Sequence, residues 1–155
     1  SEAFANGAGS FTIEDETIPS GLQYVWTADS RYACMKASAF ANSTNYKTSS
    51  YLVSPEIDLA NLTEVSASFE QAVNYYASVD AAKEESTFVV REIGGEWETL
   101  EIPHYPSSLS WTFMSTGQID LSKYAGKKIQ VAFHYTSDTK AGTWEVKNLK
   151  VNGFN

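Results

Sequence analysis

The chain has 155 residues, with 19 acidic against 11 basic side chains and a net charge of −8. That length suits a single domain spanning 1–155, which buries roughly 68–70% of its unfolded surface and needs no disulfide or metal staple. A hydrophobic content of 43% excludes disorder. The acidic balance without a basic cluster excludes nucleic acid as a partner, and no apolar run approaches the ~20 residues of a membrane-spanning helix. Cys34 is the lone cysteine, so no intrachain disulfide forms and no cysteine metal site is expected.

Taken in order, the predicted elements are short strands. Leu22–Thr27, Tyr32–Ala37 and Tyr51–Ser54 come first. Val65–Tyr75 then alternates, with Val65, Ala67, Phe69, Val73 and Tyr75 inward and Ser66, Ser68, Glu70, Ala72 and Asn74 outward. Thr87–Ile93 and Glu96–Ile102 flank Gly94-Gly95, which suits a two-residue hairpin turn because primed turns need positive φ. A strand at Ser110–Ser115 and a single helical turn at Ser122–Gly126 follow.

The clearest alternation is Lys128–Thr136, with Ile129, Val131, Phe133 and Tyr135 on one parity and Ala132 and His134 on the other. Thr143–Val151 changes phase. Trp144 and Val146 share one parity, Leu149 and Val151 the other, and a bulge near Lys147–Asn148 restores both pairs to a core. Eight or nine short strands with no long helix predict an antiparallel sandwich, with barrel closure as the alternative.

Catalytic signatures such as G-x-S-x-G, H-E-x-x-H or a Walker loop are absent. His104 lies in a loop between two prolines and His134 on a polar strand parity, both ordinary surface positions. Glu70 and Glu145 interrupt apolar stretches. Each either faces solvent or contributes to a hard-cation site, since an unpaired buried carboxylate is costly. Trp97, Trp111, Tyr105 and the pair Tyr75-Tyr76 are the candidates for stacking on a sugar ring; Trp144, Phe69, Phe88 and Phe133 read as core.

Tyr51-Leu52-Val53-Ser54-Pro55-Glu56-Ile57-Asp58-Leu59 resembles the "W-L-(I/V)-S-P-x-I-D-L" signature of the choice-of-anchor J, or cleaved-adhesin-like, domains of Bacteroidetes. Three further blocks fit in order: Ala67–Ala72, Ile119–Lys127, and Val131–Ser137 followed by Thr143–Asn148. Two positions depart from the pattern: Tyr51 stands where the family usually has Trp, and Lys147 where the last strand commonly has Asp.

The resemblance implies a jelly-roll, carbohydrate-binding-module-like sandwich of a secreted or lipid-anchored cell-surface protein, its anchor lying before Ser1. It implies structural Ca²⁺, with Glu2 and Glu145 as candidate ligands and Asn6 and Asp29 as possible additions from nearby loops. The implied role is non-catalytic binding or adhesion toward a glycan or a surface protein. A structural spacer is the alternative. A hydrolase, the third, requires a histidine contacting both a nucleophile and a carboxylate, or paired carboxylates across a groove.

Overall fold

The computed structural model describes residues Ser1–Asn155. Strands β1 (Thr12–Thr17), β2 (Trp26–Asp29), β3 (Cys34–Ser38), β4 (Phe40–Ala41), β5 (Thr44–Asn45), β6 (Thr48–Val53), β7 (Ile57–Asp58) and β8 (Glu64–Asn74) precede helix α1 (Val79–Glu85). Then come β9 (Ser86–Glu92), β10 (Glu98–Leu100), β11 (Met114–Ser115), β12 (Ile119–Asp120), a 3₁₀ turn at Ser122–Tyr124, β13 (Lys128–Ser137) and β14 (Thr143–Phe154).

Twelve of the strands form two packed antiparallel sheets, and β4 and β5 pair only with each other. The first runs β1-β6-β13-β9-β10 with β7 also on β13; the second runs β11-β8-β14-β3-β2 with β12 also on β8. The chain crosses repeatedly from one sheet to the other, the jelly-roll pattern, so apart from the β2–β3 and β9–β10 hairpins most neighbours within a sheet are distant in sequence.

Alternation puts one face of each sheet into the core. Ile129, Val131, Phe133 and Tyr135 of β13 are all buried, and Val65, Ala67, Phe69 and Val73 of β8 meet them from the other sheet. Phe133 is the hub, with the rings of Phe4, Phe11, Trp26, Phe69, Phe88 and Trp144 centred 4.9–6.5 Å away. Several polar groups within this core are tethered, although Gln71 Nε2 has no partner. Trp144 Nε1 donates to Gln71 Oε1 (2.9 Å), and the Tyr135 hydroxyl donates to Gly142 O (2.6 Å) while accepting from Ala39 N (3.1 Å).

The bulge expected in the last strand is present. The β14–β8 register shifts between Lys147 and Lys150, and Asn148 takes φ +54°. Its side-chain amide donates to the Glu70 carboxylate, so Glu70 on the outer face is partnered within the protein.

Other elements differ from expectation. The hairpin turn is displaced by one residue: Gly95 N donates to Glu92 O (2.8 Å), leaving Ile93 and Gly94 central, with the positive φ at Gly94 alone. Strand β8 ends at Asn74, and Tyr75 adopts φ +63°, which breaks the alternation. Tyr75 therefore swings outward to 57% exposure rather than continuing the inward parity, while Tyr76 turns into the core. Helix α1 and edge strand β1 carried no periodic signal. α1 has seven residues, capped by Ser78 Oγ accepting from Ala81 N (3.1 Å), and every residue of β1 is exposed.

Candidate functional site

The outer face of the second sheet carries two depressions. One, of about 380 Å³, is lined by Asp29, Arg31, Tyr32, Lys36, Ser38, Tyr75, Trp111, Thr143 and Glu145. The other, of about 600 Å³, runs along edge strand β2 past Leu22, Tyr24, Thr27, Phe40 and Asn42. Both are lined by Lys36 and Ser38, so they lie side by side along this face as one grooved surface.

Aromatic side chains stand at each end. Tyr75 and Trp111 meet edge to face (5.4 Å, 77°), and Tyr24 and Phe40 are 54% and 55% exposed. The left-handed backbone of Tyr75, braced by its own N–H on Asn74 Oδ1 (2.8 Å), puts that ring in place. Ser110 N on Val73 O (2.9 Å) pins the loop that delivers Trp111. A left-handed tyrosine costs roughly 1–3 kcal/mol, and such strain concentrates at functional sites.

The groove floor is charged. Glu145, opposite Lys36 across the β14–β3 ladder, is only 1% exposed, and its Oε1 has no hydrogen-bond partner. Burial, then the neighbouring Asp29, pushes its carboxyl above the usual range. Cys34 Sγ lies 3.7 Å from Glu145 Oε2, and burial with the same two carboxylates pushes the thiol up to about 12. Asp29 pairs with Cys34 across β2–β3, receives Arg31 N (3.0 Å) and faces Lys36 Nζ at 3.7 Å.

The candidate sugar-stacking residues separate. Tyr75 and Trp111 come together at the groove. Tyr76 is a core residue: its hydroxyl bonds the Ser86 hydroxyl, its ring fills the space a side chain at Gly142 would need, and burial raises its pKa far above normal. Tyr105 packs against the core and donates to Ala82 O (2.9 Å). Trp97 belongs to the outer face of the first sheet, where it and Tyr51 cover Val53, Val89 and Ala132. The Arg91 guanidinium sits over its ring (4.1 Å), Tyr51 lies nearly parallel to it (5.4 Å, 15°), and His134 stacks on Tyr51 (3.9 Å, 4°). Both Arg91 and Tyr51 thus contact its ring, which is half-buried.

The four candidate calcium ligands also divide. Asp29 and Glu145 cluster with Cys34 at the groove floor. Glu2 lies outside that cluster: it bridges Leu149 through backbone, its Oε2 accepts from Phe4 N (2.9 Å), and its carboxylate occupies the space beside Gly9 that a Cβ would fill. Asn6 is exposed in the turn after Phe4. A sulfur beside two carboxylates does not fit a hard, all-oxygen Ca²⁺ shell. Tyr24, Phe40 and Lys36 are groove residues that the sequence did not flag, because nothing local marks which strand lies on the open edge.

Neither histidine forms a triad. Ser49 Oγ donates to Glu16 Oε1 (2.9 Å) and lies 2.8 Å from His134 Nε2, so the hydroxyl occupies the middle position that catalysis reserves for the imidazole. His104 packs its ring against Gly117.

Solved structures place the architecture. The chain superimposes on TmCBM61, solved in complex with β-1,4-galactotriose, at TM-score 0.63 and 8% identity, covering 99% of this chain and 95% of that one. A CBM4 module matches at 0.57 and 14%, over 97% and 99% of the two chains. The K1 cleaved adhesin domain of Lys-gingipain from Porphyromonas gingivalis W83 matches at 0.57 and 19%, over 99% and 97%. The fold is a carbohydrate-binding-module and adhesin-like jelly roll. Neither a family model nor a curated protein matches the sequence. At these identities the likeness is one of fold, and the site rests on this chain's own residues.

Proposed function

We propose that this jelly roll is a non-catalytic binding module that holds an extended glycan along the outer face of its second sheet. The observation that carries this is the pair of adjoining depressions that share Lys36 and Ser38, with Tyr75 and Trp111 lining one and the exposed Tyr24 and Phe40 lining the other. Aromatic faces at the ends pack on the C–H faces of sugar rings, and the polar floor supplies donors and acceptors for hydroxyls. Two joined depressions suit several consecutive residues of a chain better than one terminal sugar.

The galactotriose bound by TmCBM61 supports a glycan over a protein as ligand. The choice-of-anchor J resemblance supports an extracytoplasmic role as one module of a Bacteroidetes cell-surface protein, secreted or lipid-anchored. No helix of the chain is long and apolar enough to cross a membrane.

A glycan-array screen of the domain, repeated on Tyr75→Ala, Trp111→Ala and Trp97→Ala proteins, tests the proposal. Binding to one class of linear glycan, lost in the first two variants and kept in the third, is the expected result. A blank array from folded protein sinks it and favours the structural spacer.

A further inference from the structure

We propose that Asp29, Cys34 and Glu145 form a binding site for a borderline-soft divalent cation of the Zn²⁺ class, set into the groove floor. Their ligand atoms all lie within 4.8 Å of one another. Cys34 Sγ donates a hydrogen bond to Glu145 Oε2 across 3.7 Å, and a metal would take the place of that proton. Zinc–sulfur and zinc–oxygen bonds of usual length, opened to the tetrahedral angle, put sulfur and oxygen about 3.6 Å apart. The pair is therefore already at coordination spacing.

A second feature, separate from the clustering, points to a ligand. Glu145 is 1% exposed and its Oε1 meets no donor; its carboxyl lies within hydrogen-bonding reach of the Asp29 carboxylate, so the buried pair needs a shared proton or a cation between its oxygens. A cation between the three side chains meets that need.

Charge balance agrees. A thiolate and two carboxylates carry three negative charges; a divalent ion with Lys36, 3.7 Å from Asp29, neutralises them. The composition of the set decides the metal class. Ca²⁺ and Mg²⁺ take shells of oxygen, whereas one thiolate with two carboxylates suits Zn²⁺. Three protein ligands would leave a fourth position for solvent, and Asp29 and Glu145 both line the groove.

Binding is a proton exchange. The Cys34 S–H bond breaks, sulfur donates its electron pair to the metal, and the proton passes to solvent, so affinity rises with pH.

The test uses reduced, metal-free protein and Co²⁺ as a spectroscopic probe, without any glycan, so its outcome is independent of the glycan proposal. One equivalent of Co²⁺ is expected to produce a sulfur-to-metal charge-transfer band that Zn²⁺ displaces and excess Ca²⁺ does not. Cys34→Ser should abolish the band, and the near-isosteric Asp29→Asn and Glu145→Gln should each weaken Co²⁺ binding by at least about tenfold. Circular dichroism checks that each variant is folded. Three results overturn the proposal: no band in folded wild type, displacement by Ca²⁺, or unchanged affinity in both carboxylate variants. Infrared detection of a protonated Glu145 carboxyl that persists with Co²⁺ present overturns it as well, because Asp29 and Glu145 would then share a proton instead of a metal.

Discussion

At the scale of single residues, aromatic identity says little about role; the neighbours of each ring decide it. Tyr75 and Tyr76 are adjacent, yet one is 57% exposed at the groove and the other 3% exposed in the core, because φ +63° at Tyr75 reverses the alternation there. Trp97 has a guanidinium on its ring and Tyr51 alongside, so Trp97→Ala should lower stability by about 1–2 kcal/mol in chemical denaturation while leaving ligand binding intact. Tyr75→Ala should show the reverse. His134 adds a pH signature. Burial holds its imidazole below the usual range, partly offset by Glu16, so the unfolded chain takes up a proton before the folded one does. Its contribution is thus fully present above the unfolded histidine pKa of about 6.5 and is lost as pH falls through the lower folded value. Urea midpoints measured downward from neutral pH should fall less steeply in His134→Gln than in wild type.

At the scale of elements, the bulge in β14 carries the most consequence. The strand must present Trp144 and Val146 to the core before the bulge and Leu149 after it, and period-2 geometry forbids both without an extra residue. Asn148 supplies that residue in the left-handed region, where asparagine is tolerated and a β-branched residue is not. Asn148→Val should cost about 1–3 kcal/mol, and Asn148→Gly less, since glycine relieves the backbone and forfeits only the amide bond to Glu70. Equilibrium unfolding of the two variants distinguishes backbone strain from the lost hydrogen bond. Edge strand β1 works by charge: Glu14, Asp15 and Glu16 line an exposed edge and oppose pairing with another chain.

At the scale of the whole molecule, one residue joins the two sheets. Phe133 meets six aromatic rings drawn from both layers and from the N-terminal segment, so Phe133→Ala should cost about 3–5 kcal/mol in equilibrium unfolding, a large share of a typical domain's stability. Much of this architecture was legible in the sequence. The parity of Lys128–Thr136 named the β13 core residues, and the phase break at Lys147–Asn148 located the bulge, because a strand writes its burial directly into a period of two. Elements too short or too exposed for a period, α1 and β1, left no such trace, although Ser78 before an Ala- and Glu-rich run is a legible helix start. The make-up of the grooved outer face lay beyond local pattern. Cys34 and Glu145 are 111 residues apart, and counting a lone cysteine along the chain gives no sign that folding brings the two into contact. The sequence alone determined that this is an antiparallel all-β chain and which side chains the regular strands β8 (as far as Val73) and β13 bury, since burial parity is a property of each strand by itself. Only the tertiary structure decided which strands became neighbours, hence which outward residues share a groove, because sheet order arises from long-range pairing that no single strand encodes.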